Sequence, residues 1–146
     1  MAAAKPDPNF QPEIVVLYCR QALDAEERPP EGARQALGLR VRLVLLPCSS
    51  KVEAYQMLKI VEQGADGVLL LACPEKACRF LTGSLKAERR VQRARQLLGL
   101  VNMGPERVAL RRVSGLSLKD ILALAGQMAA EVKALGPNPM KGDNLQ

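Results

Sequence analysis

The residues best suited to chemistry are four cysteines, and three of them stand at the ends of short apolar runs. Ile14 to Tyr18 runs into Cys19, Val41 to Leu46 runs into Pro47-Cys48, and Val68 to Ala72 runs into Cys73, with Cys78 four intervening residues further on. Runs of this length bounded by turn residues read as buried strands. In a parallel sheet neighbouring strands lie about 4.8 Å apart, so thiols on adjacent tips could converge on one small inorganic centre. Histidine is absent, which excludes Ser-His-Asp and Cys-His catalysis and His-ligated metals. Three chemistries suit four thiolates: a [2Fe–2S] cluster, a structural zinc, or exchange between a dithiol and a disulfide. Zinc sites favour close ligand pairs, whereas three of these cysteines are single and far apart. The x4 separation of Cys73 and Cys78 matches the first two ligands of plant-type ferredoxins, and a Cys-x-x-Cys redox pair is missing. Cys19-Arg-Gln-Ala-Leu after the first run is no glycine-rich phosphate loop, so a nucleotide or flavin in this domain is not indicated.

The elements that position these thiols follow from pattern. Strands are expected at Ile14–Tyr18, Val41–Leu46, Val68–Ala72 and, as an edge, Arg107–Val113. A helix is expected to open at Cys19 and break before Pro29-Pro30, where Pro29 to Gly32 forms a loop. A second is capped by Ser49 and Ser50, carries Val52, Met57, Leu58 and Val61 on its apolar face and closes at Gly64. A third spans Ser84 to about Leu98, and a fourth starts at the capping box Ser117-Leu-Lys-Asp120 and presents Leu118, Ile121, Leu122, Ala125, Met128, Ala129, Val132 and Leu135. The alternation β-α-β-α-β-α-β-α implies an α/β fold: one doubly wound domain with a four-stranded, mainly parallel sheet and helices on both faces. Ligands of such sheets bind outside the C-terminal strand ends where strand order reverses, which is where the cysteines fall. The domain is expected over 13–136, with flexible segments at 1–12 and 137–146.

With 146 residues, 48% of them hydrophobic, the chain suits one domain with a sizeable core and needs no disulfide framework. It has no apolar stretch of membrane-spanning length and no secretion signal at its start, so a cytoplasmic protein without membrane insertion is expected. The net charge of +6 favours an acidic partner surface. Two Tyr and two Phe are too few for the stacking platforms of single-strand nucleic-acid binders, so nucleic acid is not expected. Lys86, Arg89, Arg90, Arg93 and Arg95 make the third helix basic, which suits a solvated face or a docking face.

Gly64-Ala-Asp-Gly-Val-Leu-Leu-Leu-Ala-Cys73, Cys78-Arg-Phe80 and Thr82-Gly-Ser-Leu-Lys-Ala-Glu-Arg-Arg90 resemble the core of the delta subunit of methyl-viologen-reducing hydrogenase. That family reads GADGV, a strand, G-C-H-x-G-D-C-H-Y, G-N and a K-A-x-x-R helix. Leu17-Tyr-Cys19 resembles its first cysteine segment and Pro47-Cys48-Ser-Ser-Lys-Val52 its C-S-G-R-V segment, so the resemblance covers roughly residues 13 to 136. It implies an electron-transfer subunit, not itself an enzyme, with one [2Fe–2S] cluster on Cys19, Cys48, Cys73 and Cys78. Its partners would be a heterodisulfide-reductase-like flavin or iron–sulfur protein on one side, with a hydrogenase or other electron donor on the other, in an anaerobic redox complex. The sequence departs from the family pattern at Ala22, where a second cysteine is usual, and at Pro74, Lys76, Ala77 and Arg79 in the central loop. Lys76 and Arg79, if they face a cluster rather than the surface, would raise its potential by favouring the more negative, reduced form; the alternative is that both point to solvent. Arg89, Arg90 and Arg93 are the candidate docking residues. A zinc-binding or metal-free adaptor is the alternative reading, and thiol exchange through Cys73 and Cys78 is a further rival.

Overall fold

The structure is a computed structural model that describes residues 10–24, 26, 28, 32–36, 38–47, 51–72 and 83–140. Its elements in chain order are β1 (Glu13–Cys19), β2 (Gly32–Ala36), β3 (Leu39–Leu46), α1 (Ala54–Glu62), β4 (Gly67–Ala72), α2 (Gly83–Leu100), β5 (Val108–Arg112) and α3 (Leu118–Leu135). The strands form one sheet in the order β2-β3-β1-β4-β5. β1 pairs in parallel with β3 and β4, and β4 in parallel with β5, while β2 is antiparallel to β3. The sheet is therefore five-stranded and mixed rather than four-stranded. Its four parallel strands are the three apolar runs and the edge strand read from the sequence, and β5 does lie at an edge.

Side-chain alternation along the strands feeds two cores. Ile14, Val16, Tyr18, Val41, Leu43, Leu69 and Leu71 pack under α3, against Ile121, Ala125, Met128, Ala129 and Val132. Val15, Leu17, Val68, Leu70 and Val108 face α1 and α2, against Met57, Val61, Ala87, Val91, Ala94 and Leu98. Helices thus cover both faces, as a near-continuously apolar parallel sheet requires.

The expected helix after β1 does not form. A single 3-10 turn at Arg20–Ala22 is followed by extended backbone, because this stretch finds partners in the connection between β5 and α3. Leu116 N–H donates to Ala22 O at 3.0 Å, and Asp24 N–H donates to Leu116 O at 2.9 Å. A helix would break both bonds and withdraw Leu23, which is buried under α3. Further on, Gly38, at φ +76°, turns the chain from β2 into β3, a conformation glycine adopts without steric cost.

The other helix ends follow local chemistry. α1 is capped at Glu53, whose N–H donates to Gln56 Oε1 at 2.7 Å, later in the chain than the expected Ser49-Ser50 cap, which lies outside the described residues. α3 starts on the expected box: Ser117 N–H donates to Asp120 Oδ2 at 3.0 Å, and Asp120 N–H donates to Ser117 Oγ at 3.3 Å. The packed region runs beyond the boundaries drawn from the sequence. Pro12 is buried and its carbonyl accepts from Arg40 N–H at 2.9 Å. Past Gly136, Asn138 is buried and its side-chain amide donates to Val61 O and Ala65 O, both at 2.6 Å. Among the described residues no helix is long and apolar enough to cross a membrane.

Candidate functional site at the C-terminal edge of the sheet

The chain order and the spatial order of the strands together locate a crevice. From β1 the chain passes to β3 on one side, then crosses to β4 on the other side of β1. The connections after β1 and β4 lead to opposite faces: Ala22 and Leu23 pack under α3, whereas the connection after β4 leads into α2 on the other face. Strand order reverses between β1 and β4, and in open α/β sheets this is where ligands bind.

Cys19 stands at that point. It is the last residue of β1, is 2% exposed, and lies opposite Leu46, the last residue of β3. Tyr18 lies opposite Leu71, so Cys19 is level with Ala72, the last residue of β4, and Ala72 lies opposite Arg112 of β5. Four strands therefore end at one level, with Cys19 between the ends of β3 and β4. Alternation from Val15 and Leu17 directs its side chain toward the α1 and α2 face.

Cys48, Cys73 and Cys78 lie outside the described residues, as do Pro74, Lys76, Ala77 and Arg79. The segments leading into and out of them are described. Cys48 follows Leu46 by two positions and Cys73 follows Ala72 directly; beyond them the chain resumes as α1 and α2. Those two helices are tied together where the middle of α2 meets the N-terminal cap of α1. On α2, Arg90 donates from Nη1 to Val52 O at 3.4 Å, and its Nη2 pairs with Glu53 Oε1 at 3.0 Å. Among the described residues no group of three or more metal-ligating side chains gathers, since only Cys19 of the four cysteines falls there.

The basic residues of α2 divide by role. Arg95 donates to Val108 O at 2.9 Å, and Arg90 is engaged as above. Glu88 pairs with Arg112 of β5 at 2.6 Å. Lys86, Arg89 and Arg93 are exposed, and Arg89 and Arg93 line a shallow outer groove with Leu85, Glu88, Gln92 and Gln96. Of the three arginines expected at a docking face, Arg90 instead turns inward, because Val52 and Glu53 offer it two acceptors.

Sequence reading missed a buried polar cluster at the opposite edge. Arg107 is 2% exposed and donates to the carbonyls of Met103, Asp66 and Gly136 at 2.8, 3.0 and 2.9 Å. The Asp66 carboxylate accepts from Glu13 N–H at 2.8 Å and Asn138 N–H at 2.9 Å. Burial pushes the Arg107 pKa down, and the negative charges of Asp66 and Glu106 oppose that shift. No sequence signal marked Arg107 for the interior, since arginine is seldom fully buried unless its donors are paired.

Compared with known proteins, residues 14–136 match the family described as methyl-viologen-reducing hydrogenase, delta subunit. The vhu iron-sulfur subunit of an F420-non-reducing hydrogenase from Methanocaldococcus jannaschii is 32% identical over 132 residues, covering 90% of this chain and 98% of that protein. The iron-sulfur subunit of the F420-non-reducing hydrogenase from Archaeoglobus profundus is 29% identical over 129 residues, covering 88% of this chain and 94% of that one. One subunit of the ferredoxin/F420H2-dependent CoB-CoM heterodisulfide reductase from Methanosarcina acetivorans is 23% identical over 126 residues, which span 86% of this chain but 16% of that larger protein.

Proposed function

The chain belongs to the methyl-viologen-reducing hydrogenase delta subunit family, and from that premise we propose that it is an electron-transfer subunit whose Cys19, Cys48, Cys73 and Cys78 hold one [2Fe–2S] cluster. The observation that carries the reading is the position of Cys19, buried at the reversal of strand order and level with the ends of the two strands that lead to Cys48 and Cys73. The donor set fits the group: four thiols match the four ligands of one such cluster, and the sequence offers no imidazole to compete. When bound, the cluster accepts and releases one electron at a time.

The chain's own residues supply the setting. Burial of Cys19 keeps water from one side of the centre, and the apolar strands beneath it make a rigid floor. Cys73 follows Ala72 directly in the sequence, and Ala72 is itself level with Cys19. Delivery of electrons then requires a donor and an acceptor to reach this edge. The similar stretch within a heterodisulfide reductase supports a heterodisulfide-reductase-like flavin or iron–sulfur protein as one partner and a hydrogenase or other electron donor as the other. The working place of such an assembly is the cytoplasm of an anaerobe.

Iron and acid-labile sulfide analysis of the anaerobically prepared full chain tests the assignment. The expected result is about two iron and two sulfide per chain. Stoichiometric zinc, or a colourless protein without metal after attempted reconstitution, would overturn it and leave an adaptor role.

A further inference from the structure

One carboxylate holds the two residues at which the packed domain begins and ends. Glu13 N–H donates to Asp66 Oδ2 at 2.8 Å, and Asn138 N–H donates to Asp66 Oδ1 at 2.9 Å. The chain therefore enters and leaves at one place, on the edge of the sheet away from Cys19. A longer polypeptide built on this domain has to continue from that edge.

Exposed apolar surface gathers at the same edge. α2 ends where Asn102, at φ +60°, turns the chain and Met103 N–H donates back to Leu98 O at 3.1 Å. Met103 is thereby folded onto the core, and Leu100 and Val101 stay outside, 77% and 62% exposed. Leu135, 39% exposed, lies over the next turn, where a Cβ at Gly104 would meet its Cδ1 at 3.0 Å. Three of the four large exposed hydrophobics among the described residues thus surround one turn, and apolar surface that clusters in this way marks a contact face. Back along α2 from Val101, half-buried Leu97 and then exposed Arg93 and Arg89 continue the outward stripe at four-residue spacing. Glu88, beside Arg89, pairs with Arg112 at the far end of β5. α2, 18 residues and about 27 Å long, therefore carries the stripe from this edge to the level of Cys19.

Two observations select the occupant. The terminal segments 1–9 and 141–146 hold one large apolar side chain each, Met1 and Leu145, too few to cover the ridge. The similar stretch of the heterodisulfide reductase is 16% of a longer chain, and that chain continues from the ends of the stretch, which in this protein open beside Leu100, Val101 and Leu135.

We propose that the end of α2, with Leu97, Leu100 and Val101 backed by Leu135, is the face on which a heterodisulfide-reductase-like partner seats through an apolar pocket. Arg89 and Arg93 then meet carboxylates of the same partner nearer the level of Cys19. This rests on the partner reading above.

The test measures binding of the full, iron-reconstituted chain to the purified heterodisulfide-reductase-like flavoprotein of the same organism. Wild type is compared with the Leu100→Ser/Val101→Ser double variant and with Tyr55→Ser, which removes an apolar side chain exposed on α1. The double variant is expected to bind at least about tenfold more weakly. The factor should be the same at low and high salt, because apolar contacts are not screened. Tyr55→Ser is expected to match wild type. Both variants should keep the wild-type thermal midpoint, since the side chains removed are exposed. A second readout needs no variant: amide hydrogen exchange over 97–104 is expected to slow when the flavoprotein binds.

Wild-type affinity in the double variant, or unchanged exchange over 97–104, would overturn this face while leaving the partner reading intact. A loss carried by Tyr55→Ser in place of the double variant would do the same. Self-association of wild type that the double variant abolishes would give the face to a second copy of this chain and overturn the proposal. Failure of wild type to bind the flavoprotein at all would overturn the partner reading and the proposal with it.

Discussion

Asp66 and Arg107 meet inside the protein through backbone and side chain at once: Arg107 Nη1 donates to the Asp66 carbonyl at 3.0 Å, while the Asp66 carboxylate faces Glu13 and Asn138 N–H groups. Asp66 immediately precedes β4 and Arg107 immediately precedes β5, so the cluster pins the N-terminal edge of the sheet. The cysteine-bearing edge is at the other end of the same strands. One end is locked by dense hydrogen bonding, and the other ends in connections that carry the thiols.

Removing the lock should be costly. Arg107→Met leaves the carbonyls of Met103, Asp66 and Gly136 without their donor, and breaking a buried charged network of this kind costs about 3–5 kcal/mol. Equilibrium unfolding in urea checks it. The loss should also be flat between about pH 5 and 9. Burial lowers the folded-state pKa of Arg107, so its unfavourable contribution is fully present while both states are protonated. Relief comes only as pH rises through that lowered value, and arginine stays protonated far above neutrality. A difference that varied across this window would assign the pH dependence to another group.

Asp120 behaves oppositely. Hydrogen bonds from the Ser117 backbone N–H and then from its hydroxyl hold the carboxyl below its ordinary value of 3.8. A depressed acid stabilises the fold above its unfolded value and ceases to do so as pH falls through the folded one. Asp120→Asn should therefore lower the thermal midpoint at pH 7, with the gap to wild type closing as pH falls below about 3.8. An equal gap at both ends of the range would show that the carboxylate charge is not its source.

Replacing Cys48 or Cys78 with Ser should sharply reduce iron content and change the electron paramagnetic resonance signal of the reduced protein, since each would remove one of four ligands. Full loading with an unchanged spectrum in either variant would remove that residue from the ligand set.

With Arg90 engaged internally, the candidate docking residues on α2 narrow to Arg89 and Arg93. Their joint reversal to Glu is expected to weaken binding to a heterodisulfide-reductase-like flavoprotein by about tenfold at low salt, and by less at high salt, because exposed charges are screened. Affinity measured against salt concentration checks this. An unchanged affinity would remove Arg89 and Arg93 from the docking face.

Much of this architecture is legible in the sequence because burial on both faces writes itself as unbroken apolar runs, which is how β1 and β4 announce themselves, while β3 and the edge strand β5 show as runs interrupted by arginine. α3 is equally plain from its stripe and its Ser117–Asp120 box. β2 is not, because Gly-Ala-Arg-Gln-Ala carries neither alternation nor β-branched residues and pairs only by completing a hairpin with β3. The stretch after β1 reads as a helix locally, and the distant Leu116 decides otherwise. Arg107 reads as the start of a strand from its neighbours, whereas five donors in a fork make it able to satisfy several carbonyls at once. For the site, the position of Cys19 at a strand end follows from its run, but the inward turn of Arg90 depends on α1 and α2 lying side by side, which no local pattern contains.

The central place of β1 also orders how the molecule comes into being. Ile14 takes Val41 as its neighbour on one side and Gly67 on the other, so β1 stays unpaired until β3 and then β4 have emerged. Its apolar edges are then open to wrong partners, a hazard of long-range parallel pairing. β3 closes one side, β4 the other, and only after that second closure does Cys19 gain fixed neighbours. The thiol edge is thus completed late, by connectivity: Cys19 has no strand neighbour on either side until β3 and β4 have been made.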